Sequence, residues 1–120
     1  LEFRRVLFRS ETRKIIADGP WTGLELMKKK YKEKKGKDIT LPFGYDKNYE
    51  PMYACDKTRT NIKGVMVIVS PQDEMLNPTD MKLLHCITQT YTVTSSPSNA
   101  ENFSTDKNMY FERINKFLNQ

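Results

Sequence analysis

Residue types that usually carry catalysis are few in this chain of 120 residues. His85 is its single histidine, and Cys86 follows it directly. Adjacent positions of a helix point about 100° apart, so the two side chains cannot serve one reacting atom as nucleophile and base. We interpret His85 as a helix-surface residue and Cys86 as a small core residue. With Cys55 added, these residues still fall short of the four ligands of a structural zinc site.

The acidic residues and the glycines give no catalytic pattern either. Asp73, Glu74 and Asp80 fall on a polar loop and at a helix start, where acidic side chains stabilise the helix dipole. The five glycines form neither a GxGxxG nor a P-loop spacing. The sequence therefore predicts no enzyme active site, no metal site and no cofactor within this stretch.

Basic residues form the most prominent pattern. From Lys28 to Lys37, seven lysines accompany one acidic residue, Glu33, and the net charge of the whole chain is +5. Such a run is either a solvated helix face or a patch that neutralises RNA phosphates without reading their sequence. In the second case, the candidate RNA-backbone contacts are Lys28, Lys32 and Lys35.

A second group of cations lies on two other predicted helices. Lys82 falls in the first turns of a helix that follows a buried strand, and α/β sheets bind phosphate groups where such a helix begins. Arg113 and Lys116 are three residues apart on the last helix, so they share a side. These three cations either converge into one anion site or are unrelated surface charges.

Hydrophobic spacing and capping residues predict the elements that would position these side chains. A helix is expected from Trp21 to Lys35, ended by Gly36, and a short strand at Ile39–Phe43. Tyr45–Arg59 is expected to be an ordered loop or to carry a short helix or strand. The continuous apolar run Val65–Val69 predicts a strand buried on both faces.

The second half of the chain alternates helix and strand. Asn77 and Pro78 predict the start of a short helix, a further strand is expected at Tyr91–Thr94, and Ser95–Thr105 is expected to be a loop. Thr105 or Asp106 caps a last helix with the apolar face Tyr110, Ile114, Phe117 and Leu118. This order favours parallel strand pairing with helices outside, so we expect a small three-layer α/β domain of Rossmann-like type with a mostly parallel sheet.

The first ten residues, LEFRRVLFRS, follow neither a helical nor a strand period and match the in-frame translation of a common sequencing adapter. We exclude them from the fold argument and expect residues 11–120 to form a single α/β domain that is a fragment of a larger protein. No apolar run approaches the length of a membrane span. Two cysteines, both expected to be reduced thiols, fit an intracellular chain, cytoplasmic or nuclear.

From Trp21 to Gln120 the chain resembles the MID domain of Argonaute and Piwi proteins. WTGLELMKKKYKEKKGKDITLP is similar to that domain's first helix and strand, and KGVMVIVSP is similar to its core strand. PTDMKLLHCITQTYTV resembles the following helix and strand, and DKNMYFERINKFLNQ resembles the closing helix. The resemblance implies a module that grips the 5′ end of a small guide RNA during gene silencing, with any nuclease activity outside this stretch.

Proteins of that family hold the terminal phosphate with a lysine on the helix after the core strand, a glutamine beyond it and cations of the closing helix. Matched by position, the implied 5′-phosphate contacts in this chain are Lys82, Gln89, Tyr91, Arg113 and Lys116. The partner implied is a small guide RNA.

The chain departs from the family pattern at other positions: Asn119 and Gln120 replace paired glycines, and the loop between Ile87 and Tyr91 is short. Pro78 stands where a base-stacking tyrosine is expected, and Phe117 aligns with the second lysine of the closing helix. The alternative function is a non-catalytic α/β protein-interaction domain without a nucleic-acid ligand. A nucleotide-using enzyme is disfavoured because no glycine-rich turn follows Val69.

Overall fold

The computed structural model describes residues 4–6, 13–41, 43–53 and 62–120. Its one sheet has the strand order β1 (Arg4–Val6), β2 (Arg13–Asp18), β3 (Ile62–Val69) and β4 (Gln89–Thr92). β2, β3 and β4 pair in parallel, and β1 pairs antiparallel with β2. The expected α/β class with a mostly parallel sheet is confirmed. β1 lies in the segment that matches the adapter, and the three parallel strands lie outside it.

Besides the helical residues 51–53, the described part of the chain contains four α-helices, two of which are a single turn long. They are α1 (Leu24–Lys35), α2 (Pro78–Met81), α3 (Asn102–Thr105) and α4 (Lys107–Leu118). Three-residue 3-10 helices form at Lys47–Tyr49 and Asn99–Glu101, and residues 51–53 are helical.

Local signals explain where these helices begin and end. Gly36 takes φ +66° and ends α1, because glycine adopts the left-handed conformation without a steric penalty. The side chain of Asn77 accepts hydrogen bonds from the first turn of α2, and Asp106 accepts one from Met109 at the start of α4. The predicted caps of both helices are therefore confirmed.

Several boundaries differ from the expectation. No strand forms at Ile39–Phe43: residues 39–41 are irregular, 43 and 44 form a turn, and Pro42 lies outside the described residues. The first helix begins at Leu24 instead of Trp21. The helix after Asn77 ends at Met81, so Thr88 is not helical. A strand is stable only beside a strand to which it can hydrogen-bond, and a helix is stable only if its apolar face packs against other elements. The local sequence pattern shows neither the neighbouring strand nor the packing partner.

Other differences concern elements that the sequence pattern placed or missed. The strand expected at Tyr91–Thr94 is shifted two residues earlier, to Gln89–Thr92. The expected loop Ser95–Thr105 contains a 3-10 helix and α3. β2 was not predicted, because RKIIAD presents an apolar core of only three residues between charged ends.

β3 is the centre of the core. Its residues from Met66 to Val69 have no exposed surface, which confirms the strand buried on both faces. Successive side chains of a strand point to opposite faces. Met66 and Ile68 pack with residues of α4, whereas Val67 and Val69 pack with α2 and with partly buried residues of α1. The domain therefore has three layers, with α4 on one face of the sheet and α1 and α2 on the other.

β2 fixes both ends of α4 through two charged side chains. The ammonium of Lys14 donates to the carbonyl oxygens of Phe117, Leu118 and Gln120 at 2.8, 3.1 and 2.8 Å. The carboxylate of Asp18 accepts from the Tyr110 hydroxyl at 2.6 Å. α4 thus runs antiparallel to β2, and Lys14 satisfies the carbonyl groups that every helix leaves unpaired at its C-terminal end.

Replacing Lys14 with methionine should test this attachment. Lys14→Met keeps an unbranched apolar stem but removes three charge-assisted hydrogen bonds, so we expect the free energy of unfolding to fall by about 1–3 kcal/mol. The matched control is Lys63→Met, at an exposed position of β3, with an expected change within about 0.5 kcal/mol. Urea denaturation measures both, and equal losses in the two variants would contradict the role assigned to Lys14.

Candidate functional site

Two of the predicted 5′-phosphate contacts lie against each other. The guanidinium carbon of Arg113 is 5.0 Å from the centroid of the Tyr91 ring. Tyr91 is a buried residue of β4, and Arg113 is an exposed residue of α4. Burial raises the pKa of Tyr91, and the positive charge of Arg113 opposes that shift. The ring therefore positions a planar cation whose N–H groups face solvent and can donate to an anion.

The other predicted contacts lie on the same elements as this pair, except Lys82. Gln89 precedes Tyr91 by two residues, so both side chains lie on the same face of β4. Lys116 follows Arg113 by three residues on α4 and is exposed. Lys82 directly follows α2, which packs on the opposite face of the sheet. Within the described ranges no contact joins Lys82 to Arg113 or Lys116, so their convergence stays a prediction.

Side chains of the loop after β3 and of the distant Asn99 satisfy the backbone amides of this loop. The amide of Ser70 donates to Asn99 Oδ1 at 2.7 Å. The amides of Met75 and Leu76 donate to Asp73 Oδ1 at 2.8 and 2.9 Å. Amides at this edge of an α/β sheet are the usual donors to phosphate. Here an anion would have to displace Asp73 and Asn99, so the available donors are side chains elsewhere.

The start of α2 is satisfied in the same way. Asn77 Oδ1 accepts from the amides of Thr79 and Asp80 at 2.9 and 3.2 Å. Asp80 in turn forms an ion pair with Lys30 of α1. The neutral side-chain oxygen of Asn77 already accepts from the amides that were expected to meet a phosphate, so these amides cannot assist the side chain of Lys82.

The three predicted RNA-backbone lysines have different surroundings. Lys32 and Lys35 each lie 3.5 Å from a carboxylate, of Asp38 and Glu74 respectively. All four side chains are at least half exposed, and ion pairs of this kind are weak. Lys28 has no ion pair among the described residues. These surroundings are compatible with both interpretations of the lysine run, a solvated helix face and an RNA-binding patch.

A cavity of about 530 Å³ lies beside the start of α1, and Lys28 is part of its wall. Glu50, which is 3% exposed, also lines it. One oxygen of Glu50 accepts from the amide of Leu24 at 2.8 Å, and the other accepts from the Tyr45 hydroxyl at 2.7 Å. Partial burial and the bond to Glu50 raise the pKa of Tyr45 to about 12.

Sequence reasoning missed this cavity and its buried carboxylate. Glu50 caps a helix that begins 26 residues earlier in the chain, so no local spacing connects the two. The one available signal was at Gly23, the residue before α1, which offers no capping side chain of its own. A helix start without a local cap needs an acceptor from elsewhere.

His85 and Cys86 differ from their expected states. Both lie in a turn instead of a helix, and Cys86 is disulfide-bonded. Cys55 lies outside the described residues. Cys86 does pack, partly buried, against a core cluster as expected, but it is not a reduced thiol, so the argument from reduced thiols for an intracellular chain loses its basis. His85 and Cys86 line a second cavity of about 260 Å³, together with Gly64 and Thr88.

The described residues show neither a metal-binding cluster nor a membrane-spanning helix. Within the described residues, no cluster of three or more His, Cys, Asp or Glu side chains could hold a metal ion. No helix in that part of the chain combines the length and the apolar character needed to cross a membrane. Comparisons with known protein families, curated proteins and solved structures gave no match for this chain.

The Tyr45–Glu50 hydrogen bond should give a pH-dependent contribution to stability. The folded state raises the pKa of Tyr45 from 10.0 to about 12, so it favours the protonated phenol. This stabilisation is complete below pH 10.0 and is lost as the pH rises through about 12. The difference in unfolding free energy between wild type and Tyr45→Phe should therefore shrink across that window.

Urea denaturation at several pH values measures that difference directly. The control is Tyr53→Phe, which removes a hydroxyl from the same cavity wall without touching Glu50. A difference between wild type and Tyr45→Phe that stays constant up to the highest pH would disprove the assigned hydrogen bond.

Proposed function

We propose that this domain is a non-catalytic module of an Argonaute- or Piwi-like silencing protein and binds the 5′-phosphorylated end of a small guide RNA. The observation that supports the proposal best is the Arg113 guanidinium over the Tyr91 ring, 5.0 Å from its centroid. Both residues belong to the set that the family resemblance implies. The α/β fold with a central buried strand and a closing helix is compatible with the same family.

Side chains of β4 and α4 would hold the phosphate. Arg113 is a planar cation that can donate two parallel hydrogen bonds to phosphate oxygens, and stacking on Tyr91 reduces the entropy lost on binding. Lys116, on the same side of α4, would add a second positive charge. The amide of Gln89, on the Tyr91 face of β4, would donate a further hydrogen bond. Binding and orientation are the whole mechanism, since no bond is made or broken here.

This arrangement would lack one cation of the family pattern and would lack the backbone amides that α/β sheets usually offer to phosphate. Phe117, at the position of the second lysine, is 2% exposed and belongs to the core cluster under the sheet, so it supplies no cation. The backbone amides around Asp73 and at the start of α2 are already bonded. Side-chain cations would therefore carry most of the affinity, and binding would be strongly salt-dependent.

Lysines of α1 would extend the contact to the RNA backbone. Lys28, Lys32 and Lys35 lie on a helix that covers the other face of the sheet from α4. They would neutralise phosphates further along the strand without selecting a sequence. Such a module would act in the cytoplasm or nucleus, where silencing RNAs are found.

The test compares one short RNA with a 5′-phosphate and with a 5′-hydroxyl group. We expect the phosphorylated RNA to bind about tenfold more tightly, because charge-assisted hydrogen bonds to Arg113 are worth about 1.5–3 kcal/mol. Arg113→Ala should abolish this difference, and Arg113→Lys should restore part of it. The matched control is Lys107→Ala, at the other end of α4, where the ammonium lies over Phe103. Fluorescence anisotropy at two salt concentrations measures all four proteins.

Equal affinities for the two RNAs would disprove the proposed 5′-phosphate site. If RNA binding is also weak and disappears at moderate salt, the protein-interaction domain becomes the better interpretation. A separate variant, Lys82→Ala, tests the predicted convergence of cations: loss of the 5′-phosphate preference places Lys82 in the site, and an unchanged preference removes it.

A further inference from the structure

The cavity beside the start of α1 has no role in the proposed 5′-end site. Its volume of about 530 Å³ is in the range of small-molecule sites. Its wall consists of residues of α1, Leu41, five residues between positions 45 and 53, and Leu83, on the face of the sheet opposite to α4. We propose that this cavity binds a nucleotide, with the base inside and the phosphate at the rim.

The wall of the cavity suits a flat aromatic ring. Tyr45 and Tyr53 contribute aromatic rings, and Met52 contributes a flexible thioether. Leu41 and Leu83 are 47% and 36% exposed, which is unusual for large apolar side chains. A base that covers these leucines would remove apolar surface from water and stack against a tyrosine, and both effects favour binding.

Two lysines give the mouth of the cavity a positive charge. Lys28 and Lys47 are exposed members of its wall. Lys47 lies over the Tyr53 ring, 5.8 Å from the centroid, and neither lysine has an ion pair in the described part of the chain. The one exposed carboxylate in the wall is that of Glu25. A phosphate attached to the bound base would therefore pair with Lys28 and Lys47, whose two positive charges balance the carboxylates of Glu25 and Glu50 in the same wall.

The polar groups deeper in the cavity favour a base that donates hydrogen bonds. Glu50 offers carboxylate oxygens, each of which keeps a lone pair after its bond to Leu24 or Tyr45. The Tyr45 hydroxyl has already donated its hydrogen, so its oxygen can only accept. Guanine presents two adjacent N–H donors on one edge, whereas uracil places its single donor between two carbonyl groups. The cavity should therefore prefer guanine nucleotides.

The nucleotide could be free in solution or part of an RNA strand that runs along the lysines of α1. Both sources share the chemistry of a base with an attached phosphate, and competition separates them. If a short guanine-containing RNA with a 5′-hydroxyl end displaces GMP, the cavity accepts a nucleotide within a strand. If that RNA leaves GMP in place, the cavity is reserved for the free nucleotide.

The primary experiment titrates the whole chain with GMP, UMP and ribose 5-phosphate by isothermal titration calorimetry. We expect saturable binding of GMP, with UMP weaker by about tenfold because the unmatched polar groups of uracil would lose hydrogen bonds. Ribose 5-phosphate, which lacks a base, should bind more weakly still. Absence of saturable GMP binding at millimolar concentration would overturn the proposal.

A matched pair of charge reversals then locates the site. Lys28→Glu should weaken GMP binding about tenfold, because a carboxylate would replace a cation at the rim. Lys34→Glu makes the same change of net charge on the same helix, at an exposed position outside the cavity wall, and should change the affinity by less than about twofold. Equal losses in both variants would show a general charge effect and overturn the site.

Two further variants separate loss of GMP binding in the cavity from loss of folding and from binding at the proposed 5′-end site. Tyr53→Ala should weaken GMP binding while circular dichroism stays unchanged, and wild-type affinity in this variant would count against stacking in the cavity. Arg113→Ala, which removes the proposed 5′-end contact to the phosphate of GMP, should leave saturable GMP binding by the cavity detectable and still weakened by Lys28→Glu. If it abolishes GMP binding instead, the nucleotide occupies the α4 face and the cavity proposal is wrong.

Discussion

Complete burial of β3 is the constraint on which the rest of the structure depends. Four consecutive residues, Met66 to Val69, have no exposed surface, so each face of the strand must be covered by other parts of the chain. A chain of this length can cover both faces only with helices on each side of the sheet, because burying a strand twice requires two further layers. α4 covers Met66 and Ile68, and α1 with α2 covers Val67 and Val69. The two candidate sites are consequences of this division, since each lies on a different covering layer.

β2 fixes the position and the direction of α4 on its face of the sheet. Lys14, Ile16 and Asp18 alternate along the strand and share the face that α4 covers. Ile16 contributes to the apolar cluster, while the charged residues bond opposite ends of the helix. These opposite charges specify direction as well as contact. A reversed α4 would bring its carbonyl ends to Asp18 and lose the bonds of Lys14. The orientation of Arg113 over Tyr91 therefore depends on a strand that contains neither residue.

Local signals in the sequence predicted the parts of the fold that depend on local physics. The unbroken apolar run at Val65–Val69 and the caps at Asn77 and Asp106 are visible without tertiary information, and each agrees with the structure. Features that depend on distant partners were missed or misplaced. β2 is a strand because β3 lies beside it, and the strand expected at Ile39–Phe43 is absent because no described strand pairs with it. The candidate sites show the same difference between local and distant signals. Arg113 and Tyr91 were each predicted from the sequence, and the structure brings them together. Glu50 was not predicted, because it caps α1 from a segment that is distant in the sequence.

The sheet separates the cations of α4 from the lysines of α1, so the two groups would bind anions independently. Arg113 and Lys116 lie on α4, and Lys28 with its neighbours lies on α1, so a full layer of the domain stands between them. Adjacent layers of packed secondary structure are about 10 Å apart, so two spacings put α1 and α4 about 20 Å apart, roughly twice the screening length of physiological salt. One phosphate therefore cannot contact both surfaces, and the charge on one surface has little effect on the field at the other. Substitutions on α1 and on α4 should then change binding free energies additively. An RNA strand that used both surfaces would have to pass around an edge of the sheet, so a 5′-terminal phosphate and a base in the cavity would belong to different nucleotides.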